Sequence, residues 1–367
     1  MKLTLISSSL RAGSAERVMS TIANYWANRG WSITLLTFDD GSNPPFFELD
    51  PRIDHHTLGI GDRSIDSIFS LTRNFGRIST LKKAIVNSNP NVVISFVSRT
   101  NILTMLACRG LKVSTIVSEH VYPGFSQLSK FEQSLQRKYY RRASMVTVQT
   151  HNALSFFPSG EGYNTYVMPN PIFIPDSPAI QSGLYTDDRH LLAVGQLIPQ
   201  KGFDLLIQSF AQVCKRHPDW TLTILGEGSM RKDLENLQFR LDLEDRIYMP
   251  GEVQNVDAYI RKADLFVLSS RFEGFPVTLC EAMACGVPVI AADCLSGPRE
   301  IIHNGIDGML VVPENIDALS AGLDLLMSDP VKRQYFSHYA PQVLDRFGLE
   351  KVMGMWSGAL KQVSRRS

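Results

Sequence analysis

Short apolar segments alternate with longer amphipathic segments along most of this chain. In the first half the apolar segments have the length and composition of buried parallel strands, and they cover residues 3–7, 32–38, 92–96, 114–118 and 145–150. The alternation stops in a stretch with linker composition, residues 174–189, and restarts at residue 190. Because helices that alternate with strands cover both faces of a parallel sheet, the pattern predicts an α/β fold with two doubly wound domains.

The second series contains the most informative stretch of the chain, residues 264–290. An apolar segment at its start predicts a buried strand, and Pro276 and Gly286 mark the beginning and the end of the helix that follows. Glu273 then lies in the loop at the carboxyl end of a strand, and Glu281 lies about one and a half turns into the helix. Ligands of open α/β sheets bind at this edge. We hypothesise that the two carboxylates hold hydroxyl groups of a sugar nucleotide.

Charge is distributed unevenly along the 367 residues, although the net charge is only +1. Residues 1–173 contain 18 Lys and Arg against 11 Asp and Glu, and the remainder contains 19 against 25. The basic first half indicates an anionic partner, such as a phosphorylated acceptor or an acidic membrane, and random surface variation explains the difference equally well. Nucleic acid is disfavoured as a partner because no dense basic tract with interleaved aromatic residues occurs.

Cysteine usage and hydropathy indicate the compartment. The five cysteines form no C-x-x-C pair, which fits reduced cytosolic thiols better than a disulfide framework or a zinc site. The apolar segment that follows Met1 is too short for a signal peptide. No stretch reaches the ~18 apolar residues of a spanning helix. We therefore expect a cytoplasmic protein, with peripheral contact at the inner face of the membrane as a further hypothesis.

Two loops in the first half have the composition of ligand-binding loops. The first contains Gly13 and precedes a helix, so its N–H groups could approach an anion or a sugar, although ordinary turn chemistry explains the loop as well. It lacks the G-x-G-x-x-G spacing of dinucleotide folds. In the second, Glu119 and His120 follow a strand and reach the carboxyl edge of the sheet, so we expect His120 to contact the substrate.

Two amphipathic segments of the first half have basic outer faces. Arg73 and Arg77 stand four residues apart on one helix and could grip the diphosphate of an acceptor, although a solvated helix face is the simpler interpretation. Residues 130–142 predict a second basic helix, with Phe131, Leu135 and Tyr139 as its apolar stripe. This helix could lie on an anionic membrane surface or could be an ordinary amphipathic helix.

Considered together, the motifs resemble those of one enzyme family. The most specific is Glu273-x7-Glu281 with Gly274-Phe275-Pro276 inside it. The supporting matches, each weak alone, are Gly13-x2-Glu16-Arg17, Lys201-Gly202 after a strand, Gly226-Glu227-Gly228, Gly251-x-Val253 and Gly297-Pro298-Arg299-Glu300. In this order and spacing they resemble the large family 4 of retaining glycosyltransferases, which has the GT-B fold of two facing Rossmann-like domains with a cleft between them. The resemblance covers nearly the whole chain.

The resemblance suggests how the chain is divided. We place the acceptor-side domain at residues 1–173 and the domain that binds the nucleotide sugar at residues 186–345. Apolar residues at helical spacing predict a helix within residues 348–367, and the resemblance implies that this helix packs back on the first domain.

The resemblance also implies a role for each matching residue of the donor site. Glu281 would accept hydrogen bonds from the ribose hydroxyls, and Glu273 would accept them from the donor sugar. The other donor-binding residues would be Gly274, Phe275 and Pro276 at the sugar, Val253 at the base, and Gly13 and Gly226 in close-approach loops. His120 would lie near the transferred sugar. For the acceptor we assign Glu16, Arg17, Arg73 and Arg77.

The phosphates of the donor need cationic and N–H donors, and Lys201 supplies the cation. A cation at a helix start is disfavoured by the helix dipole, which suggests an anionic ligand. In the family an arginine usually stands five residues before this lysine, where this chain has Gln196. A neutral amide donates a hydrogen bond without adding charge. Either another cation substitutes, or phosphate binding is weaker.

The sequence therefore predicts a metal-independent retaining glycosyltransferase that needs no cofactor, with Glu273, Lys201 and His120 in the catalytic site. It would move a hexose or N-acetylhexosamine from a nucleotide sugar, UDP-linked in our hypothesis, to a glycan or a polyprenyl-diphosphate-linked glycan. A GT-B epimerase or phosphorylase and a non-catalytic sugar-nucleotide-binding protein are the alternatives. The sequence does not identify the sugar, the linkage, the acceptor or the oligomeric state.

Overall fold

A computed structural model describes residues 1–11, 13–61, 71–125, 128–174 and 189–364 of the chain. These residues form two compact units. The first comprises Met1–Pro171 together with Glu350–Ser367, and the second comprises Ile172–Leu349. The expected linker, residues 174–189, lies almost entirely outside the described residues.

The first unit is built on a seven-stranded parallel sheet with the strand order β3-β2-β1-β4-β5-β6-β7. Its strands are β1 (Lys2–Ser7), β2 (Ser32–Thr37), β3 (Asp54–Thr57), β4 (Val92–Phe96), β5 (Ser114–Glu119), β6 (Met145–Val148) and β7 (Thr165–Val167). The central strands are buried on both faces, as their continuous apolar composition predicts. The two edge strands, β3 and β7, are short and partly exposed, and the apolar pattern did not predict them.

Within the described residues of this unit, four α-helices connect the strands: α1 (Ser14–Asn28), α2 (Leu71–Ser88), α3 (Ser98–Ala107) and α4 (Lys130–Tyr140). Helix α1 buries an apolar face that includes Val18, Ile22 and Trp26. Helix α2 is described from Leu71 onward.

The predicted apolar stripe of α4 was wrong in part. Phe131 is 53% exposed, whereas Glu132 and Gln136 face inward beside Tyr139. The inward polar groups have partners: the carboxylate of Glu132 accepts from the N–H of Ser129 and from Arg99. Gln136 Nε2 donates to a buried carboxylate on β5. Satisfied hydrogen bonds thus allow polar residues to occupy the buried face.

The second unit repeats the architecture with a six-stranded parallel sheet in the order β10-β9-β8-β11-β12-β13. Its strands are β8 (Arg189–Val194), β9 (Trp220–Leu225), β10 (Ile247–Gly251), β11 (Leu265–Leu268), β12 (Val289–Ala292) and β13 (Met309–Val311). Its helices are α5 (Phe203–Val213), α6 (Arg231–Arg240), α7 (Val256–Lys262), α8 (Val277–Ala284), α9 (Pro298–Ile301), α10 (Ile316–Ser328), α11 (Pro330–Tyr339) and α12 (Val343–Phe347). The two parallel sheets with covering helices are the predicted pair of Rossmann-like units.

The last helix, α13 (Leu349–Ser364), packs within the first unit. Trp356 contacts Trp26 edge to face, with 6.1 Å between the ring centroids. At the far end Ser114 Oγ donates to the carbonyl of Val363 over 2.9 Å. Among the helices of the described residues, none combines the length and the apolar composition needed to cross a membrane.

Each sheet has one point at which the chain leaves two neighbouring strands in opposite directions. In the first unit this switch point lies between β1 and β4, and in the second it lies between β8 and β11. Loops at the carboxyl ends of these strands form the crevice in which open α/β sheets bind ligands.

Candidate functional site

In the second unit the loops that follow β8 and β11 meet at the switch point. Lys201, from the first loop, places its ammonium nitrogen 2.7 Å from Oε1 of Glu273, from the second. The hydroxyl of Ser270 donates to the same oxygen over 2.6 Å. The Glu273 side chain is only 6% exposed and that of Lys201 is 21% exposed. The structure therefore brings the predicted cation and the predicted sugar ligand into one sheltered ion pair.

Close backbone contacts hold the Lys201 loop in place. Gly202 has φ of +63°, and a Cβ there would stand 2.3 Å from the carbonyl oxygen of Ser269. In return the Ser269 hydroxyl donates to the carbonyl of Lys201 over 2.9 Å. A Cβ on Gly195 would stand 3.2 Å from the Lys201 side chain, so the aliphatic part of the lysine lies against this glycine. Glycine at both positions permits the close approach.

The segment between the two glutamates forms a tight turn before α8. Pro276 precedes the first helical residue, Val277, as the sequence predicts. Gly297, with φ of +95°, would bring a Cβ within 2.7 Å of the Pro276 ring, so the loop after β12 packs closely on this turn. Glu281 is the fifth residue of α8 and is 4% exposed. Two buried carboxylates thus flank a helix start whose N–H groups favour anions.

The remaining donor-site candidates lie on the loops after β8, β9 and β10. Gly226 has φ of +136°, and a Cβ there would stand 2.0 Å from the carbonyl oxygen of Gly195. Val253 is half-buried just after β10, and the side chain of Gln196 is exposed. Arg231 donates to the carbonyl oxygens of Gly226 and Met249. Arg231 also pairs with Glu227 and is therefore occupied by protein groups.

In the first unit His120 lies at the carboxyl end of β5, as predicted. Its ring stacks on Phe96 with 4.0 Å between the ring centroids. Gln149 Nε2 lies 2.8 Å from Nδ1 of the imidazole, and Ser118 Oγ lies 3.1 Å from Nε2. An amide nitrogen donates, so Nδ1 accepts and the ring proton is on Nε2. Burial lowers the pKa of His120 to about 3, so the ring is neutral at physiological pH.

The Gly13 loop follows β1 and therefore lies at the same edge of the first sheet as His120. A Cβ on Gly13 would stand 2.2 Å from Glu16 Oε2, which shows that the carboxylate folds back over the glycine. Burial raises the pKa of this carboxyl group. Arg17 N donates to the carbonyl of Gly13 over 3.0 Å, in the first turn of α1. The structure thus places Glu16 and Arg17 beside Gly13.

Arg73 and Arg77 were predicted to lie on one face of a helix. Both belong to α2, and Arg77 is half-buried. The side chain of Arg73 lies outside the described part of the chain, so the shared face remains a prediction. Within the described ranges, no three His, Cys, Asp or Glu side chains are grouped so that they could hold a metal ion.

The two halves of the chain match two family descriptions. Residues 15–172 match Glycosyltransferase Family 4, and residues 179–343 match Glycosyl transferases group 1. The chain belongs to the family 4 glycosyltransferases. The glycosyltransferase is 27% identical to an uncharacterized glycosyltransferase of Haemophilus influenzae, over 95% of this chain and 96% of that one. It is 26% identical to the Campylobacter jejuni GalNAc-alpha-(1->4)-GalNAc-alpha-(1->3)-diNAcBac-PP-undecaprenol alpha-1,4-N-acetyl-D-galactosaminyltransferase, over 99% of each chain.

Solved structures agree with the GT-B fold of this glycosyltransferase. Sucrose-phosphate synthase from Thermosynechococcus elongatus superimposes with a TM-score of 0.86 at 19% identity, covering 100% of this chain and 99% of that one. Anabaena HepE, solved in complex with UDP and glucose, superimposes with a TM-score of 0.80 at 20% identity, covering 98% of this chain and 99% of that one.

Sequence reasoning about this glycosyltransferase missed a buried hub at the end of β5. The carboxylate of Glu119 accepts from Ser98 Oγ over 2.6 Å and from Gln136 Nε2 over 3.1 Å, and also from the hydroxyl of Tyr140. Burial raises the pKa of Glu119, and the hydrogen bonds offset only part of that effect. The available signal was a glutamate that ends an apolar strand. These hydrogen bonds connect α3 and α4 to β5, the strand directly before His120.

A second missed feature is the strained residue at the switch point of the first sheet. Val97 has φ of +72°, which is unusual for a β-branched residue, and it lies between β4 and α3. Its N–H donates to the carbonyl of Ser118 over 3.0 Å, and its own carbonyl accepts from Asn101 N. Backbone strain of this kind concentrates at functional sites, so Val97 joins the candidate residues of the first unit.

Proposed function

We propose that the chain transfers a hexose or an N-acetylhexosamine from a UDP-sugar to a glycan carried on a polyprenyl diphosphate, in the synthesis of a bacterial surface glycan. The observation that carries the proposal is the ion pair of Lys201 with the buried Glu273 at the switch point of the second sheet. A phosphate ligand next to a hydroxyl ligand fits a sugar bonded to a diphosphate. The activity named for the Campylobacter relative supports a lipid-linked acceptor, and the HepE complex supports UDP.

In the proposed donor complex each residue has one partner. The Lys201 ammonium binds the diphosphate together with backbone N–H groups, and the exposed Gln196 amide adds a neutral donor. Glu281 accepts from the ribose hydroxyls, and Glu273 accepts from the sugar. The backbone of the Gly274–Pro276 turn completes the sugar site, and the backbone of Val253 meets the base. Gly226 lets the loop after β9 approach the loop after β8, which carries Gln196 and Lys201.

The proposed reaction retains the anomeric configuration of the donor. The bond from the anomeric carbon to the phosphate oxygen breaks, and its electron pair stays on the departing nucleoside diphosphate. The acceptor hydroxyl attacks the oxocarbenium-like carbon from the same face and transfers its proton to the departing phosphate. Lys201 stabilises the charge that develops on that phosphate, so no metal ion or cofactor is needed. The neutral His120 contacts the transferred sugar without changing its own charge.

We assign the acceptor to the first unit. The residues proposed to bind it are Glu16, Arg17, Arg73 and Arg77, beside or along α1 and α2. We further propose that the protein works at the cytoplasmic face of the membrane, where the outer side of α4 contacts anionic lipid. Its exposed residues Arg137 and Lys138, together with Arg141 and Arg142 just beyond its end, carry four positive charges, and Phe131 adds an apolar contact. Sedimentation with phosphatidylglycerol vesicles, and not with phosphatidylcholine vesicles, is the expected result.

A donor screen tests the proposed reaction. The protein is incubated with UDP-glucose, UDP-galactose and their N-acetylated forms, with a polyprenyl-diphosphate-linked glycan, and UDP release and product mass are measured. We expect UDP release together with an acceptor that is one sugar heavier. Conversion of the free nucleotide sugar without an acceptor would indicate an epimerase, and binding of UDP-sugar without turnover would indicate a non-catalytic binding protein.

Two variants tie the activity to the site. Lys201→Ala and Glu273→Ala should each reduce transfer at least about tenfold, because each removes a charged contact to the donor. Lys215→Ala, a surface lysine beyond the end of α5, is the matched control and should retain wild-type transfer. Wild-type rates in both site variants would refute the assignment.

A further inference from the structure

Arg271 lies two residues before Glu273, yet its guanidinium faces the loop that carries Lys201. Nη1 donates to the carbonyl of Pro199 over 2.7 Å and to Asp204 Oδ1 over 2.8 Å, and Nη2 donates to Asp204 Oδ2 over 2.7 Å. The bidentate geometry makes this a strong and directional contact. Pro199 and Asp204 flank Lys201 on either side along the chain.

Backbone hydrogen bonds reinforce the same connection. Arg271 N donates to the carbonyl of Gln200 over 2.8 Å, and Gln200 Nε2 donates to the carbonyl of Phe272 over 3.1 Å. Every one of these bonds joins the segment around Lys201 to the segment just before Glu273. Lys201 and Glu273 therefore extend from two loops that several hydrogen bonds hold together.

The contacts of Arg271 with protein carboxylates argue against a direct role in substrate binding. Its Nε lies 3.3 Å from Glu314, so the guanidinium has carboxylates on two sides. The hydrogen bonds that Arg271 donates to Asp204 raise the pKa of Arg271. Burial opposes ionisation of Asp204, but its bonds to Arg271 prevail and lower the pKa of its carboxyl group. Because two carboxylates already neutralise its charge, Arg271 is unsuited to supply the second cation that is missing at position 196.

We propose that Arg271 is a positioning residue that holds Lys201 within reach of Glu273 and so sets where the diphosphate of the donor lies relative to its sugar. This inference rests on the proposed glycosyl transfer. A lysine has a flexible four-carbon stem, so the location of its ammonium group depends on the backbone from which it extends. A displacement of about 1 Å in a reacting group can cost about 100-fold in rate.

The test is a double-mutant cycle between Arg271 and Lys201, read as the rate of UDP release from the UDP-sugar that the wild type turns over fastest. Arg271→Ala should lower kcat at least about tenfold. Lys201→Ala should cost at least about tenfold in the wild type but less than about threefold in the Arg271→Ala background, because the lysine is already misplaced there. A purely structural role for Arg271 would leave the cost of Lys201→Ala unchanged, and that result would overturn the proposal.

Two further variants separate positioning from phosphate binding. Arg271→Lys keeps the cation but loses the bidentate bond, so positioning predicts a kcat that remains well below the wild type. If Arg271→Ala does not fold, the cycle is run with Arg271→Lys. Asp204→Asn should also lower kcat, with the dissociation constant of UDP, measured by calorimetry, changed less than about threefold. Loss of UDP binding in Arg271→Ala but not in Asp204→Asn would identify a phosphate ligand and contradict positioning.

Arg216 supplies the matched control. It pairs with Asp324 over 3.1 Å in the same unit, but it precedes β9 and so lies at the opposite edge of the sheet. Arg216→Ala should retain wild-type kcat. If the wild type itself turns over no UDP-sugar, the proposed function fails. If the wild type is active and the coupling is absent, only the role of Arg271 fails.

Discussion

Lys201 Nζ lies 2.7 Å from Glu273 Oε1, so the proposed phosphate ligand and the proposed sugar ligand neutralise each other in the free protein. Their positions in the chain are 72 residues apart. Binding of a nucleotide sugar would exchange this internal contact for two external ones, from the ammonium to the diphosphate and from the carboxylate to the sugar hydroxyls. The pair is sheltered from water, so solvent screens it less than a surface pair.

This exchange predicts opposite effects on UDP binding and on transfer. Glu273→Gln keeps the shape of the side chain and removes its charge. Residue 273 then no longer competes with the diphosphate for the ammonium group of Lys201. We expect the dissociation constant of UDP to fall at least about threefold, or roughly 0.6 kcal/mol. Transfer should fall at least about tenfold, because the carboxylate that accepts from the sugar is gone. Calorimetry with UDP and the transfer assay measure the two effects.

Two controls make the UDP measurement specific to the ion pair. Glu281→Gln removes the other buried carboxylate and should weaken UDP binding, since that residue is proposed to hold the ribose. In the Lys201→Ala background, Glu273→Gln should no longer tighten UDP binding. A gain of the same size there would indicate simple repulsion between Glu273 and the diphosphate.

Gly202 provides a test of the backbone that supports Lys201. Gly202→Ala adds a methyl group 2.3 Å from the carbonyl oxygen of Ser269, in a backbone conformation with φ of +63°. We expect a loss of about 2–4 kcal/mol in the free energy of unfolding, from strain together with overpacking. Gly305→Ala is the control, because φ is +81° but no atom outside Gly305 and its two chain neighbours lies within 4 Å of the added carbon. Equal losses in the two variants, measured by urea unfolding, would exclude a steric role.

The depressed pKa of His120 predicts a pH dependence of stability. The folded protein holds the ring neutral down to about pH 3, whereas an unfolded histidine takes up a proton near pH 6.5. The unfolded state then binds more protons between these values, so stability falls as the pH drops below 6.5. Between pH 7 and pH 5 the wild type should lose unfolding free energy, and His120→Gln should remove up to about 2 kcal/mol of that loss.

The measurement for His120 is the difference in unfolding free energy between pH 7 and pH 5 for each variant. His56→Gln serves as the control, because the His56 side chain is 54% exposed on the edge strand β3. A His120→Gln protein whose stability has the same pH dependence as that of the wild type would contradict the depressed pKa of His120.

The proposed charge neutralisation by Lys201 and backbone N–H groups predicts that chelation does not affect transfer. After dialysis against EDTA, kcat should stay within about twofold of its starting value. Binding of free UDP to the dialysed protein, measured by calorimetry in the same buffer, controls for non-specific loss of protein. A large loss that Mg²⁺ or Mn²⁺ restores would refute the metal-independent mechanism.

Much of the fold could be predicted because the period of the apolar residues is a local property. The central strands and the helices α1, α5 and α8 occur where the pattern places them. The edge strands β3 and β7 were missed, since one face of an edge strand is exposed and its residues need not be apolar. The inward face of α4 was misjudged because Glu132 and Gln136 are buried through hydrogen bonds to distant residues.

The amino-acid sequence was enough to predict the two α/β units, the turn between Glu273 and Glu281, and the strand-end positions of Lys201, Glu273 and His120. Those features follow from residue type and local spacing. Three contacts became evident only in the fold: Lys201 with Glu273, Arg271 with Asp204, and Glu119 with its buried hydrogen-bond donors. Each of these contacts depends on which strands become neighbours, because parallel strands far apart in the chain bring their end loops together at one edge.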